Sequence, residues 1–315
     1  MSLVPVMPTT WARITACARC LGTCITNRRQ VVISQFPPAA YVERMFERLK
    51  THAFAALIAT LPTALGAQSL TSLSDIAKVT VLPGWKTANG TRMAALQIDL
   101  ADGWKTYWRA PGEAGIPPSV DWQGSQNLQA VQFHWPTPDV FTTNGLKSIG
   151  YKGVTVVPIE ITPSGSGPIT LQGRVDIGVC EDICVPISVP VSVELSGDGK
   201  ENPAILASLA DQPTPADQTR ISSVSCAVDP IADGLGLTAT IGLPNRFDPE
   251  MAVIELPDQS VWIATPEISR SGGILTARTE LVPPSGQPFL LNRSEIRITL
   301  LGDGQAIDIQ GCPAG

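Results

Sequence analysis

The sequence predicts an all-β protein built from two sandwich-like domains, and three observations carry that expectation. Apolar and polar residues alternate with period two over long stretches. Turn residues punctuate them at short intervals, with 27 Gly and 28 Pro in 315 residues. Helix–strand alternation of the kind that builds a parallel sheet is missing. With 43% hydrophobic and 16% charged residues, the chain can bury real cores and is neither a disordered tail nor a basic nucleic-acid binder.

Residues 45–67, MFERLKTHAFAALIATLPTALGA, have the layout of a secretory signal peptide. Arg48 and Lys50 give the charged start, Ala53 to Leu65 is an apolar run of 13 residues, and Ala64-Leu65-Gly66 supplies small residues for cleavage. Such a signal lies too far in to work from Met1, so translation is expected to begin at Met45. Residues 1–44 then read as an upstream over-extension or a poorly structured leader. Cys17, Cys20 and Cys24 fall in that leader and lack a nearby fourth zinc ligand. Seven of the 22 basic and two of the 28 acidic residues precede position 68, which leaves 15 against 26. The expected mature chain is therefore acidic, with no pull toward nucleic acid or anionic lipid. No later stretch is long and apolar enough to insert in a membrane.

Ala94, Leu96, Ile98 and Leu100 share one face of a strand; Ile169, Leu171, Val175, Ile177 and Val179 share another. Val185 through Leu195 continues the alternation beyond a short break. Further strands follow at 237–241, 251–256, 261–263, 273–279, 296–301 and 306–309. Asn202-Pro203 is a helix cap with proline at the first helical position, set between turn-rich SGDGKE and PTPADQ. These signals divide the chain into a β domain at 68–197, a linker with a short helix at 198–219 and a second, smaller β domain at 220–315.

Four cysteines remain after the signal: Cys180, Cys184, Cys226 and Cys312. An even count behind an export signal points to an oxidising compartment. Two alternating strands flank Cys180 and Cys184, which predicts a hairpin with its tip at Glu181–Ile183. The apolar positions on both strands are odd-numbered, so both cysteines fall on the polar face. A Cys180–Cys184 bridge closes so small a loop that it contributes only about 2 kcal/mol, whereas a Cys226–Cys312 bridge contributes about 4.5 kcal/mol. The long bridge suits a staple, and the short one suits reversible exchange. Glu181 and Asp182 flank the pair and oppose thiolate formation; no Lys, Arg or His is adjacent in sequence. The expectation is a passive carrier, opened by a more reactive thiol. Two alternatives stay open. One is an inert hairpin disulfide in an interaction module. The other is Cu(I) capture, because soft thiolates select Cu(I) and C-x-x-x-C before proline is similar to the motif of Sco-type copper chaperones. Cys180 and Cys184 would then be the ligands, with His134 as a possible third.

The ordered blocks DGWKTYWRAPGEAGIPPSVDW (102–122), FHWPTPDVF (133–141), GYKGVTVVPIEI (150–161) and VCEDICVP (179–186) resemble the N-terminal periplasmic domain of the thiol:disulfide interchange protein DsbD. They are closer still to the ScsB-type branch associated with copper tolerance. The resemblance spans roughly residues 70–195, and in that branch extends to the second β domain. It implies an immunoglobulin-like sandwich, followed by the second sandwich, acting without a cofactor as a thiol–disulfide oxidoreductase in the periplasm of a Gram-negative bacterium. A membrane donor of DsbD or CcdA type would supply electrons. Periplasmic thioredoxin-like proteins, including those of cytochrome c biogenesis, would receive them. By the same resemblance Cys184 forms the mixed disulfide and Cys180 resolves it. Phe141 and Asp139 belong to a cap over the sulfurs, and Trp104, Tyr107 and Trp108 line the site. The C-x-x-x-C spacing is shorter than in DsbD itself, and the sequence carries neither the membrane module nor the thioredoxin domain of that protein.

Overall fold

The computed structural model describes residues 73–315 apart from 245, 246, 248 and 249. The expected signal peptide and the Cys17, Cys20 and Cys24 cluster lie outside the described residues. After a short helix α1 (Leu73–Ile76) come ten strands: β1 (Ala77–Lys86), β2 (Arg92–Leu100), β3 (Lys105–Gly112), β4 (Ser119–Asp121), β5 (Leu128–Phe133), β6 (Asp139–Thr143), β7 (Leu146–Lys152), β8 (Val154–Pro163), β9 (Ile169–Cys180) and β10 (Cys184–Leu195). They form two sheets, one ordered β1-β2-β8-β5 and one ordered β10-β9-β3-β7-β6 with β4 paired to β9. The odd-numbered stripe of β9 read from the sequence, Val175, Ile177 and Val179, packs with Ile187 and Val191 of β10 against Val79, Leu96 and Ile98 of the facing sheet. Farther along, Ile169, Leu171 and Leu195 meet Ala94, Ile159 and Ile161. Period-two burial on both facing sheets makes this an immunoglobulin-like sandwich.

Strand β2 is buried on both sides, which its alternation did not predict. Helix α2 (Pro203–Ala210) covers the outer face, seating Ile205 on Met93 and Ala95. Asn202 caps it as expected, accepting a hydrogen bond from the Ala204 amide at 2.9 Å. The Ser208 hydroxyl donates to the Val156 carbonyl at 2.6 Å, tying the helix to β8. The segment is thus a packed layer rather than a free spacer.

The second sandwich contains β11 (Thr214–Pro215), β12 (Ser223–Ile231), β13 (Gly234–Gly242), β14 (Met251–Glu255), β15 (Trp262–Ile263), β16 (Glu267–Ser271), β17 (Ile274–Val282), β18 (Arg297–Gly302) and β19 (Gln305–Gln310). Its sheets run β11-β19-β18-β14 and β12-β13-β17-β15, with β16 paired to β17. Ala252 and Ile254 of β14 point into its own core. Their neighbours Met251 and Val253 point the other way, onto Trp108, Ile149 and Tyr151 of β3 and β7. Arg109 fixes this junction, its Nε 2.9 Å and Nη2 3.0 Å from the two carboxylate oxygens of Glu255. Its guanidinium also lies 3.8 Å from the Trp108 ring centroid. The described residues therefore belong to one compact unit.

Candidate functional site

The hairpin joining β9 and β10 turns at Glu181–Ile183, with the Glu181 amide donating to the Ile183 carbonyl at 3.3 Å. Cys180 and Cys184 face each other directly across the ladder and are disulfide-bonded, their Cα atoms 4.2 Å apart. Register then builds the site from neighbouring strands. Cys180 pairs with Lys105 on β3, and Lys105 pairs with Lys152 on β7. One row across four strands reads Lys152, Lys105, Cys180, Cys184. Residues directly opposite in such a ladder hold their Cβ atoms about 4.5–5.5 Å apart.

Both cysteines occupy the sheet face opposite the core stripe, yet their accessibilities differ. Cys184 is exposed and Cys180 is only 7% exposed. The even-numbered face of β9 is not free polar surface at this end, because Tyr107 and the segment around Ile116 lie on it. Gly178 makes room for them: a Cβ there would sit 2.7 Å from the Ile116 Cβ and 3.1 Å from the Tyr107 ring. Gly115 does the same on the ring's other edge, at 2.8 Å. Tyr107 is thereby 2% exposed with its hydroxyl 3.2 Å from the Cys184 sulfur. A disulfide sulfur has no proton, so the hydroxyl is the donor. Burial pushes the Tyr107 phenol up, which keeps it protonated for that role.

The other residues expected at the site lie elsewhere. Phe141 is on β6, with β3 and β7 between it and β9. Its ring faces cations instead, with the Lys105 and Lys152 ammonium groups 5.4 and 5.0 Å from its centroid. Asp139 begins the same strand and, after burial, is the second influence raising the Asp211 carboxyl. Trp108 is fully buried on the opposite face of β3, in the junction between sandwiches. Trp104 is half-buried against the first sandwich core. Tyr107 is the aromatic residue that reaches sulfur.

Lys105 is the residue that sequence neighbours concealed. It is 8% exposed, and its ammonium meets the hydroxyls of Thr143 at 3.2 Å and Ser148 at 3.4 Å. Desolvation first, then Lys152, pulls its pKa down. Only the strand register places it opposite Cys180; its position in GWKTYW carried no such signal.

The second disulfide has a different setting. Cys226 and Cys312 are each 1% exposed, with Cα atoms 5.5 Å apart, inside the second core. His134 donates its backbone amide to Pro158, and its ring meets the Glu160 carboxylate at 3.3 Å on the other sheet of the first sandwich. Among the described residues, no three His, Cys, Asp or Glu side chains are grouped to hold a metal ion. No helix among them is long and apolar enough to cross a membrane. A cleft of about 470 Å³ at the junction, bordered by Ala110, Glu113, Val253 and Trp262, adjoins the segment that covers Tyr107 but not the sulfurs.

Comparison with known proteins bears on this hairpin directly. Residues 78–194 match the family model described as thiol:disulfide interchange protein DsbD, N-terminal. The matched segment is similar to that N-terminal domain. It takes in the cysteine hairpin together with every strand that builds the row of four residues. Among solved structures, the chain is similar to the N-terminal periplasmic domain of ScsB from Proteus mirabilis, with a TM-score of 0.55 and 23% identity. The match covers 76% of this chain and 92% of that one, so the similarity of fold reaches beyond the DsbD-like segment. Comparison with the curated proteins returned no match.

Proposed function

We propose that this protein relays electrons in the periplasm by dithiol–disulfide exchange through Cys180 and Cys184, with thioredoxin-like proteins as its partners. The observation that carries the reading is the unequal accessibility of the pair on a DsbD-type hairpin. An incoming thiolate attacks the exposed Cys184 sulfur, forming a mixed disulfide as the Cys180–Cys184 bond breaks. The bonding pair leaves on Cys180 as a thiolate. The partner's second thiolate then attacks its own sulfur in the mixed disulfide, releasing Cys184. The partner ends as a disulfide and the hairpin as a dithiol. Delivery to an acceptor runs the same steps backwards, with Cys184 as nucleophile and Cys180 as the resolving thiol.

Cu(I) capture by the reduced pair finds less support, since His134 is engaged with Glu160 on the other sheet. The second sandwich, with its own disulfide, serves in this reading as a rigid support for β3 and β7.

Partner trapping tests the assignment. With Cys180→Ser, the mixed disulfide at Cys184 cannot be resolved and accumulates with a thioredoxin-like protein on non-reducing gels. With Cys184→Ser it does not form. Equal trapping by the two variants contradicts the assigned order of attack.

A further inference from the structure

Lys105 is a buried cation that the relay as written does not use. Its ammonium has two neutral hydroxyls and an aromatic face for company, and among the described residues no carboxylate pairs with it. Burying a charge without a counter-charge is costly, and the oxidised hairpin offers none, because a disulfide is neutral. Reduction changes that. The sulfur that becomes anionic when Cys184 is attacked is Cys180, the residue directly across from Lys105 in the ladder.

We propose that Lys105 is the counter-cation of the Cys180 thiolate, held in the oxidised protein against Thr143, Ser148 and Phe141 until that charge appears. This inference rests on the relay reading and gives it a direction. Lys105 stabilises Cys180 as leaving group when the disulfide is opened, and it keeps Cys180 ionised to resolve the mixed disulfide when electrons are delivered. It is a positioning residue, acting through the sulfur rather than on the partner. The other charged or titratable groups around this end of the sheet are Lys152 on β7, Tyr107 on β3, Asp139 on β6, Asp102 before β3, and Glu181 and Asp182 at the hairpin tip. Lys152 works in the same sense as Lys105. The three tip and turn carboxylates are exposed and work against it through solvent.

Once the ammonium turns from Thr143 and Ser148 to the ionised sulfur of the facing residue, an opposite charge at such close range lowers the pKa of an acid by about one unit or more. The ratio of reduced to oxidised pair in a glutathione buffer then differs little between wild type and Lys105→Met at pH 7. It falls about threefold in the variant at pH 8 and nearly tenfold above pH 9, where only the wild type gains fully from ionisation. Lys105→Arg keeps the cation and restores the wild-type profile, which a purely structural role for the lysine stem would not explain. Should Lys105→Met fail to fold, the Cys184→Ser variant answers alone, because Cys180 is then the only free thiol of the expected mature chain. Its thiolate absorbance should titrate about one unit below the ordinary cysteine value of about 8.5. Titration at or above that value overturns the inference. So does a Lys105→Met profile that tracks the wild type while the wild-type pair exchanges normally, and that result leaves the relay intact. A wild-type pair that even dithiothreitol cannot open removes the relay and this inference together.

Discussion

The described residues carry two disulfides in contrasting settings. Cys226–Cys312 joins residues 86 apart, is enclosed by the second core, and has the Arg293 guanidinium donating to the Cys226 carbonyl. Cys180–Cys184 joins residues four apart at a hairpin tip, with one sulfur exposed, a phenol donating to it and a buried cation in the adjacent strand. The first holds a long loop closed where no thiol can approach. The second closes almost nothing and is presented to thiols. In the proposed relay the same covalent bond serves as a staple or as a switch according to loop length, access and the charge available to the departing sulfur.

The largest effect that sharpens this contrast is on stability. Replacing Cys226 and Cys312 together by Ser should cost about 4 kcal/mol in denaturant unfolding, whereas replacing Cys180 and Cys184 should cost about 2 kcal/mol or less. Equal losses would erase the distinction. Next comes the junction. Arg109→Ala leaves Glu255 without its bidentate partner and uncovers Trp108, and because the pair is partly solvated we expect a loss of about 2 kcal/mol. If the second sandwich supports β3, exchange at Cys184 should change in the same variant, as stopped-flow reduction by glutathione would show. The smallest effect belongs to Tyr107→Phe. It keeps the ring and removes the hydrogen bond to sulfur, worth about 1 kcal/mol, so exchange at Cys184 slows by about threefold to fivefold. An unchanged rate would mean that the phenol only fills space.

Much of this was legible in the sequence. Alternation located the β9–β10 hairpin and its tip at Glu181–Ile183, and Asn202-Pro203 marked the start of the helix. It also put both cysteines on the face opposite Val175, Ile177 and Val179. What alternation cannot report is what lies on that face. Beside Cys180 that face carries Tyr107 and Ile116, which arrive from 73 and 64 residues upstream through contacts that Gly115 and Gly178 permit. Lys105 was hidden for the same reason, since its pairing with Cys180 is a property of strand order. Resemblance pointed to Phe141 as the aromatic over the sulfurs; strand order places it on β6, and its ring faces the Lys105 and Lys152 ammonium groups. Trp108 lay within a quoted motif, yet one step along a strand reverses the face, and it seals the junction instead.

The most direct test of the central contrast is to equilibrate the protein against graded glutathione buffers, trap free thiols with an alkylating reagent and locate them by mass spectrometry. We expect Cys180 and Cys184 to titrate together and reversibly between oxidised and reduced forms while Cys226 and Cys312 stay bonded throughout. If both pairs stay oxidised across the whole range, the hairpin bond is a second staple and the electron-relay reading is contradicted.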